Sequence, residues 1–218
     1  IPVFGLQLGW PDAGNRPVDT TERQAYDLLA AGFGDGFNGP LLLAVDLDTA
    51  TEPTAALAAI TTAVADTPGV QLVVPAQLNP AGDTAVIQAI PDSSPQDAAT
   101  EELVDHLRTN TIPALEDGTG AVVEVTGTTA AFIDISKRLS ERLVVFIAAV
   151  VLLSFVLLTA VFRSLLVALK AAVVNLLGIA AAYGVLVAVF QWGWGLSLVG
   201  LKETVPVISF LPMMMFAI

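Results

Sequence analysis

Two stretches of the chain are apolar for longer than any globular core requires. Leu143 to Phe162 reads LVVFIAAVVLLSFVLLTAVF, 20 residues without charge and with only Ser154 and Thr159 as polar members. Ala171 to Phe190, AAVVNLLGIAAAYGVLVAVF, is a second uncharged run of 20. At about 1.5 Å per residue, roughly 20 residues cover a hydrocarbon core of about 30 Å. No water is available there for backbone N–H and C=O groups, so both runs are predicted to be transmembrane α-helices. The stretch between them, FRSLLVALK, carries Arg163 and Lys170, which mark a tight turn at one membrane surface and make the pair an antiparallel hairpin. After Lys202-Glu203-Thr204 the chain turns apolar again over Val205 to Ile218. That run is too short to span and reads as the opening of a third span. At the other end, IPVFGLQL reads as the tail of an earlier span or as a strand entering a domain.

The first 134 residues follow a different pattern. Thr20 to Ala31 is predicted helical, with Thr20 or Thr21 as cap and Gly32 as stop. Pro40 to Leu47 reads as a strand, and Pro53 to Asp66 as an alanine-rich helix closed by Pro68-Gly69. Val70 to Ala76 and Thr84 to Ile90 read as strands around an Asn79-Pro80…Gly82-Asp83 turn. Pro95 to Asn110 follows as a helix with Ala98, Leu103 and Leu107 on one side, and Ala121 to Thr126 as a last strand. The order β-α-β-β-α-β predicts a ferredoxin-like α+β domain. A helix capped by Gly127-Thr128-Thr129 then runs through Phe132 and Ile135 into the first span.

Charge divides the chain at the same place. A mean hydropathy of +0.74 beside a net charge of −12 suits neither a soluble globule nor a membrane bundle. Residues 1–134 carry 19 Asp/Glu against three Lys/Arg, net −16, and residues 135–218 carry two against six, net +4. An acidic, water-facing module is thus joined to a lipophilic one, with boundaries at 1–134 and 135–218. So acidic a module excludes nucleic acid as partner and is repelled by anionic headgroups. The absence of cysteine excludes disulfides, thiolate metal sites and a cysteine nucleophile. With no signal segment ahead of the acidic module, that module either stays in the cytoplasm or belongs to a longer polypeptide, and the second reading is preferred.

Few positions suggest chemistry. His106 is the sole histidine, on a helix beside Asp105 and Arg108, and reads as a solvated helix residue rather than a ligand or base. GFGDGFNGP (Gly32, Gly34, Gly36, Gly39) precedes a strand instead of following one and lacks Gly-Lys-Ser/Thr, so hinge or tight loop is preferred over a phosphate cradle. The acidic residues lack calcium-loop spacing, and no nucleophile–histidine–acid pattern is present, so neither cofactor, metal nor enzyme activity is expected. In the membrane, Asn175 needs a partner; interhelical bonds of this kind contribute roughly 0.6–2 kcal/mol. Gly178 with Ala182, and Ala180 with Gly184, give small-xxx-small spacing for close helix contact. Packing is preferred there over passage of substrate or protons; Tyr183 and Gln191 lie on the same segment. Neither run contains Asp, Glu, Lys, Arg or His, so a proton relay would lie elsewhere. FQWGWG holds Trp192 and Trp194, two of the three tryptophans, directly after the second run. An interfacial indole belt explains them, with substrate contact as the rival role. Phe33, Phe37 and Trp10 line a cavity or fill a core.

PDAGNRP, AYDLLAAGFGDGFNGPL, TAVFRSLLVALKAAVVNLLG, and FQWGWG followed by PVISFLPMMMFAI together resemble the MMPL family of the resistance-nodulation-division transporters. The resemblance covers essentially the whole chain. It implies a proton-driven exporter of lipids, glycolipids, siderophores or other amphipathic molecules, with about twelve spans. The acidic module would be its second extracytoplasmic porter domain, the hairpin its eighth and ninth spans, and Val205 the start of the tenth. The family's Asp-Tyr relay would fall beyond Ile218. The implied partners are the lipid bilayer, the remainder of the same transporter and an amphipathic cargo; the implied location is the cytoplasmic membrane. No oligomeric state follows. The rival readings are a membrane-anchored binding or scaffold module, and a protein-translocation relative of the same superfamily.

Overall fold

The computed structural model describes residues 8–9, 11–196 and 207–208. In chain order the first strand is β1, Leu8–Gly9, which pairs in parallel with β6, Val207–Ile208. Apart from those two residues, the apolar run from Val205 lies outside the described residues, as do Trp10 and most of IPVFGLQL.

Strand β2, Leu41–Asp46, turns sequence alternation directly into structure. Leu41, Leu43 and Val45 are fully buried while Asp46 is exposed, the period of two expected of a sheet with one covered face. Its neighbours are β3 (Val70–Leu78), β4 (Thr84–Pro91) and β5 (Val122–Thr126). All pairings are antiparallel, in the order β3-β4-β2-β5. Leu43 stands opposite Ile87 on one side and Val125 on the other, so one row of side chains crosses the sheet into the core. Helices α2 (Pro53–Ala65) and α3 (Ala98–His106) close that face with Ile60, Val64, Leu103 and Val104. This is the ferredoxin-like α+β fold that the element order predicts.

Three local boundaries differ from the sequence reading. Helix α1, Thr21–Phe33, is capped by Thr20, whose hydroxyl accepts from the Arg23 N–H. It runs through Gly32 and stops at Gly34, which takes φ 107° and donates its N–H to the Ala30 carbonyl. A glycine ends a helix where it adopts the left-handed half of the map, and Gly32 has no such φ. Helix α3 begins at Ala98, because Ser94 and Asp97 form a turn in which the Ser94 N–H donates to the Asp97 carboxylate. Ala98 is exposed; the buried position is Thr100, whose hydroxyl donates to the Ser94 carbonyl at 2.7 Å. Beyond His106 the helix does not end at Asn110. It widens into a π-turn over Leu107–Thr111 and resumes as α4, Ile112–Thr119. Pro113, lacking an N–H, sits in the first turn of α4, where no intrahelical donor is needed.

The described residues divide into two compact units. One is Val18–Ile133; the other comprises the described parts of Ile1–Pro17 and Asp134–Ile218. In the second, the apolar runs form α5 (Thr128–Phe162, whose first turns precede the unit) and α6 (Leu165–Leu186). A π-turn, Val187–Gln191, extends α6. By length and composition both helices are able to cross a bilayer. The turn between them is Arg163-Ser164 alone: Arg163 takes φ 46°, and the Ser164 hydroxyl caps α6. Lys170 therefore lies inside α6, not in the turn.

Candidate functional site

The membrane hairpin holds a cleft of ≈ 420 Å³ lined by Ser154, Leu157 and Leu158 of α5 and Ala171, Ala172 and Asn175 of α6. Ser154 and Asn175 stand at similar distances from the two-residue turn, which is why an antiparallel hairpin brings them to one level. The two side chains are the polar members of an otherwise hydrocarbon lining. Thr159 satisfies its hydroxyl on its own helix, donating to the Phe155 carbonyl at 2.8 Å. Ser154 and Asn175 make no hydrogen bond with any described residue. In hydrocarbon such groups bond to whatever polar atom fills the cleft, because leaving them bare is costly. That Ser154 and Asn175 line one cleft was missed by sequence reasoning; counting outward from Arg163-Ser164 is the signal that finds it.

The other membrane positions separate. Gly178 lies outside this cleft, and a Cβ there would meet nothing within 4 Å. Tyr183 is buried, with Val187 and Ala188, and Gly184 and Gln191 are half-buried. Trp192 and Trp194 pack edge to face with ring centroids 5.6 Å apart, both rings largely exposed. Gly193 (φ 79°) and Gly195 (φ 71°) turn the chain, and the Trp194 N–H reaches back to the Ala188 carbonyl at 2.8 Å. The helix thus ends in a compact indole pair, a form suited to the headgroup layer, where an apolar body and a polar N–H are both satisfied.

In the acidic unit the glycine-rich segment is a packing device. A Cβ on Gly36 would overlap the Pro91 carbonyl, and one on Gly39 would collide with the Pro95 ring and lie 2.7 Å from the Thr129 hydroxyl. These contacts account for Gly36 and Gly39. Phe33 and Phe37 stack at 4.8 Å with Phe33 mostly exposed, so Phe33 fills no core. His106 is exposed. Its neighbour Arg108 turns inward, and its guanidinium donates to the Val125 carbonyl at 2.9 Å, tying the π-turn to the sheet's edge strand. Among the described residues no group of three or more His, Asp or Glu is placed to hold a metal ion.

A ferredoxin-like domain followed by two helices long and apolar enough to cross a bilayer is the architecture of a membrane protein with a water-facing domain. The family model described as "MMPL family" matches residues 36–218, and the chain belongs to that family. It is 42% identical over 221 residues to "Membrane protein YdfJ" of Bacillus subtilis, covering 100% of this chain and 30% of that one. It is 32% identical over 200 residues to "Mycolic acid-containing lipids exporter MmpL11" of Mycolicibacterium smegmatis, covering 88% and 20%. It is also 32% identical over 169 residues to "Heme uptake protein MmpL11" of Mycobacterium tuberculosis, covering 76% and 17%. The chain therefore spans less than a third of the length of each of these relatives.

Proposed function

We propose that these residues form the second porter domain and the adjoining membrane hairpin of a proton-driven exporter of lipids or other amphipathic molecules. Residues 1–134 lie on the extracytoplasmic side, together with the Trp192–Trp194 pair, and Arg163 faces the cytoplasm. The observation that carries the reading is α5, an unbroken helix of 35 residues from Thr128 to Phe162. It begins two residues after the last residue of β5 and continues to the hairpin turn. A helix without a Gly or Pro break transmits displacement along its axis, so motion driven within the membrane reaches the porter domain. Energy enters elsewhere, because the runs 143–162 and 171–190 hold no Asp, Glu, Lys, Arg or His. Asn175 and Gly184 serve helix packing, while Gly178 is open among the described residues, with Ser154 and Asn175 offering the polar contact for whatever enters the cleft. Lipid cargo is supported by the name of the Mycolicibacterium relative, heme by that of the Mycobacterium tuberculosis one.

The test compares envelope lipids of a strain lacking the gene with those of the complemented strain, with and without a proton uncoupler. Loss of one lipid class from the cell exterior, restored by complementation and abolished by the uncoupler, supports the proposal. An unchanged lipid profile, with heme accumulation altered instead, overturns the cargo assignment. Transport that survives the uncoupler overturns the proton coupling.

A further inference from the structure

The stretch 171–196 contains no Asp, Glu, Lys, Arg or His, yet it ends in two of the chain's three tryptophans. Trp192 and Trp194 are 49% and 65% exposed. Their ring centroids stand 5.6 Å apart with the planes at 61°, so each ring keeps a face open on a shared corner. The backbone fixes that corner to the helix. The Trp192 backbone N–H donates to the Val187 carbonyl at 2.9 Å, and the Trp194 backbone N–H to the Ala188 carbonyl at 2.8 Å. Both residues are thereby folded onto the end of the π-turn, along a path set by the left-handed Gly193 and Gly195.

The face of an aromatic ring is electronegative and draws a cation to within about 6 Å of its centre, tryptophan most strongly. A helix C-terminus adds negative potential of its own, because its last carbonyls have no intrahelical donor. Here the Val189 and Phe190 carbonyls accept from no described residue. No Lys or Arg on 171–196 is available to fill the corner, and the chain's net charge of −12 favours a cation over an anion. Among the described residues neither indole N–H has an acceptor, which leaves two donors for an oxygen ligand. An ammonium with an anionic oxygen a few bonds away satisfies both sets of groups. In the headgroup layer, where a membrane-crossing helix ends, a zwitterionic phospholipid has that chemistry. We infer that Trp192 and Trp194 form a recognition site for an ammonium headgroup, choline or ethanolamine. The nitrogen lies against the two ring faces and a phosphate oxygen accepts from an indole N–H. A plain interfacial belt takes any lipid alike; this corner discriminates. The inference depends on neither the cargo nor proton coupling.

The test places the complete gene product in micelles holding equal amounts of phosphatidylcholine and phosphatidylglycerol. Native mass spectrometry then gives the ratio of the two lipids among protein molecules that retain one. Trp192→Leu and Trp194→Leu are each expected to lower the choline-to-glycerol ratio at least about threefold, as loss of a cation–π contact at an exposed site requires. The acidic charge that attracts any cation is the same in these variants. Trp192→Phe keeps a ring but weakens its field; it is expected to fall between, and it supplies the reading if a leucine variant misfolds. Tetramethylammonium in solution separates the possible sources of the ligand. Displacement of the choline lipid, with phosphatidylglycerol retained, supports recognition of the ammonium alone; resistance to displacement supports recognition of the anchored headgroup. A ratio unchanged in all three folded variants overturns the inference, whether or not total bound lipid falls.

Discussion

Gly36 shows how a single missing methyl group sets local geometry. With the Pro91 carbonyl where its Cβ would stand, Gly36→Ala forces the end of β4 away from the loop before β2. The expected loss is roughly 1–3 kcal/mol, read as a lower denaturant midpoint for the acidic unit. Gly118→Ala is the counter-case: its Cβ meets nothing within 4 Å and its φ is not left-handed, so the change in the last turn of α4 is expected to stabilise by roughly 0.4–1 kcal/mol. Asp83 makes a different residue-scale prediction. The Asn79 amide, donating at 2.6 Å, and then the Thr84 hydroxyl hold its carboxyl below the usual carboxylate range, and the backbone N–H of Asp83 adds to them against a small opposing effect of burial. A group whose folded value is depressed stabilises the fold above its unfolded value and loses that contribution as pH falls through the folded one. Asn79→Ala should raise the titration midpoint of Asp83 towards the ordinary value, followed by NMR of its carboxyl carbon. An unchanged midpoint would show that the loop network does not reach the charge.

At the scale of elements, the sequence carries the strands and the membrane helices further than it carries helix ends. Alternation in PLLLAVDL and AVVEVT is legible because one sheet face is buried and the other wet, so each side chain records its side. The uncharged runs are legible for the same reason in another solvent: hydrocarbon tolerates no ambiguity about backbone pairing. The junction from α3 to α4 was not legible. Asn110-Thr111-Ile112-Pro113 reads locally as a stop, and only the tertiary fold, with Leu107 and Ile112 buried on either side, makes a π-turn preferable to a break. Arg108 was hidden likewise, since its partner is a backbone carbonyl 17 positions away that no side-chain pattern announces. The apolar stripe of α1 (Ala25, Leu28, Leu29, Phe33) was plain in the sequence as a helix; that it is exposed was not. Periodicity tells which residues share a face, never which way the face turns.

For the whole molecule, charge segregation is the feature from which topology follows. An acidic unit of net −15 (residues 18–133, with 17 Asp/Glu against Arg23 and Arg108) and the uncharged runs 143–162 and 171–190 cannot share one solvent. His106→Cys, at an exposed position, is expected to react with a membrane-impermeant maleimide in intact cells, and Arg163→Cys only after permeabilisation. The reverse pattern would place the acidic unit in the cytoplasm. Charge alone did not orient the hairpin, because Lys137, Arg138 and Arg142 precede one end of the first span while Arg163 and Lys170 follow the other. The cleft between Ser154 and Asn175 was invisible for a related reason, since it depends on how many residues the turn consumes. That turn consumes two, Arg163 and Ser164. A linker so brief stores no slack, so neither rod slides lengthwise without dragging the other. On the proposed function, a pull on α5 is passed directly to α6 across a turn in which Arg163 holds φ 46°.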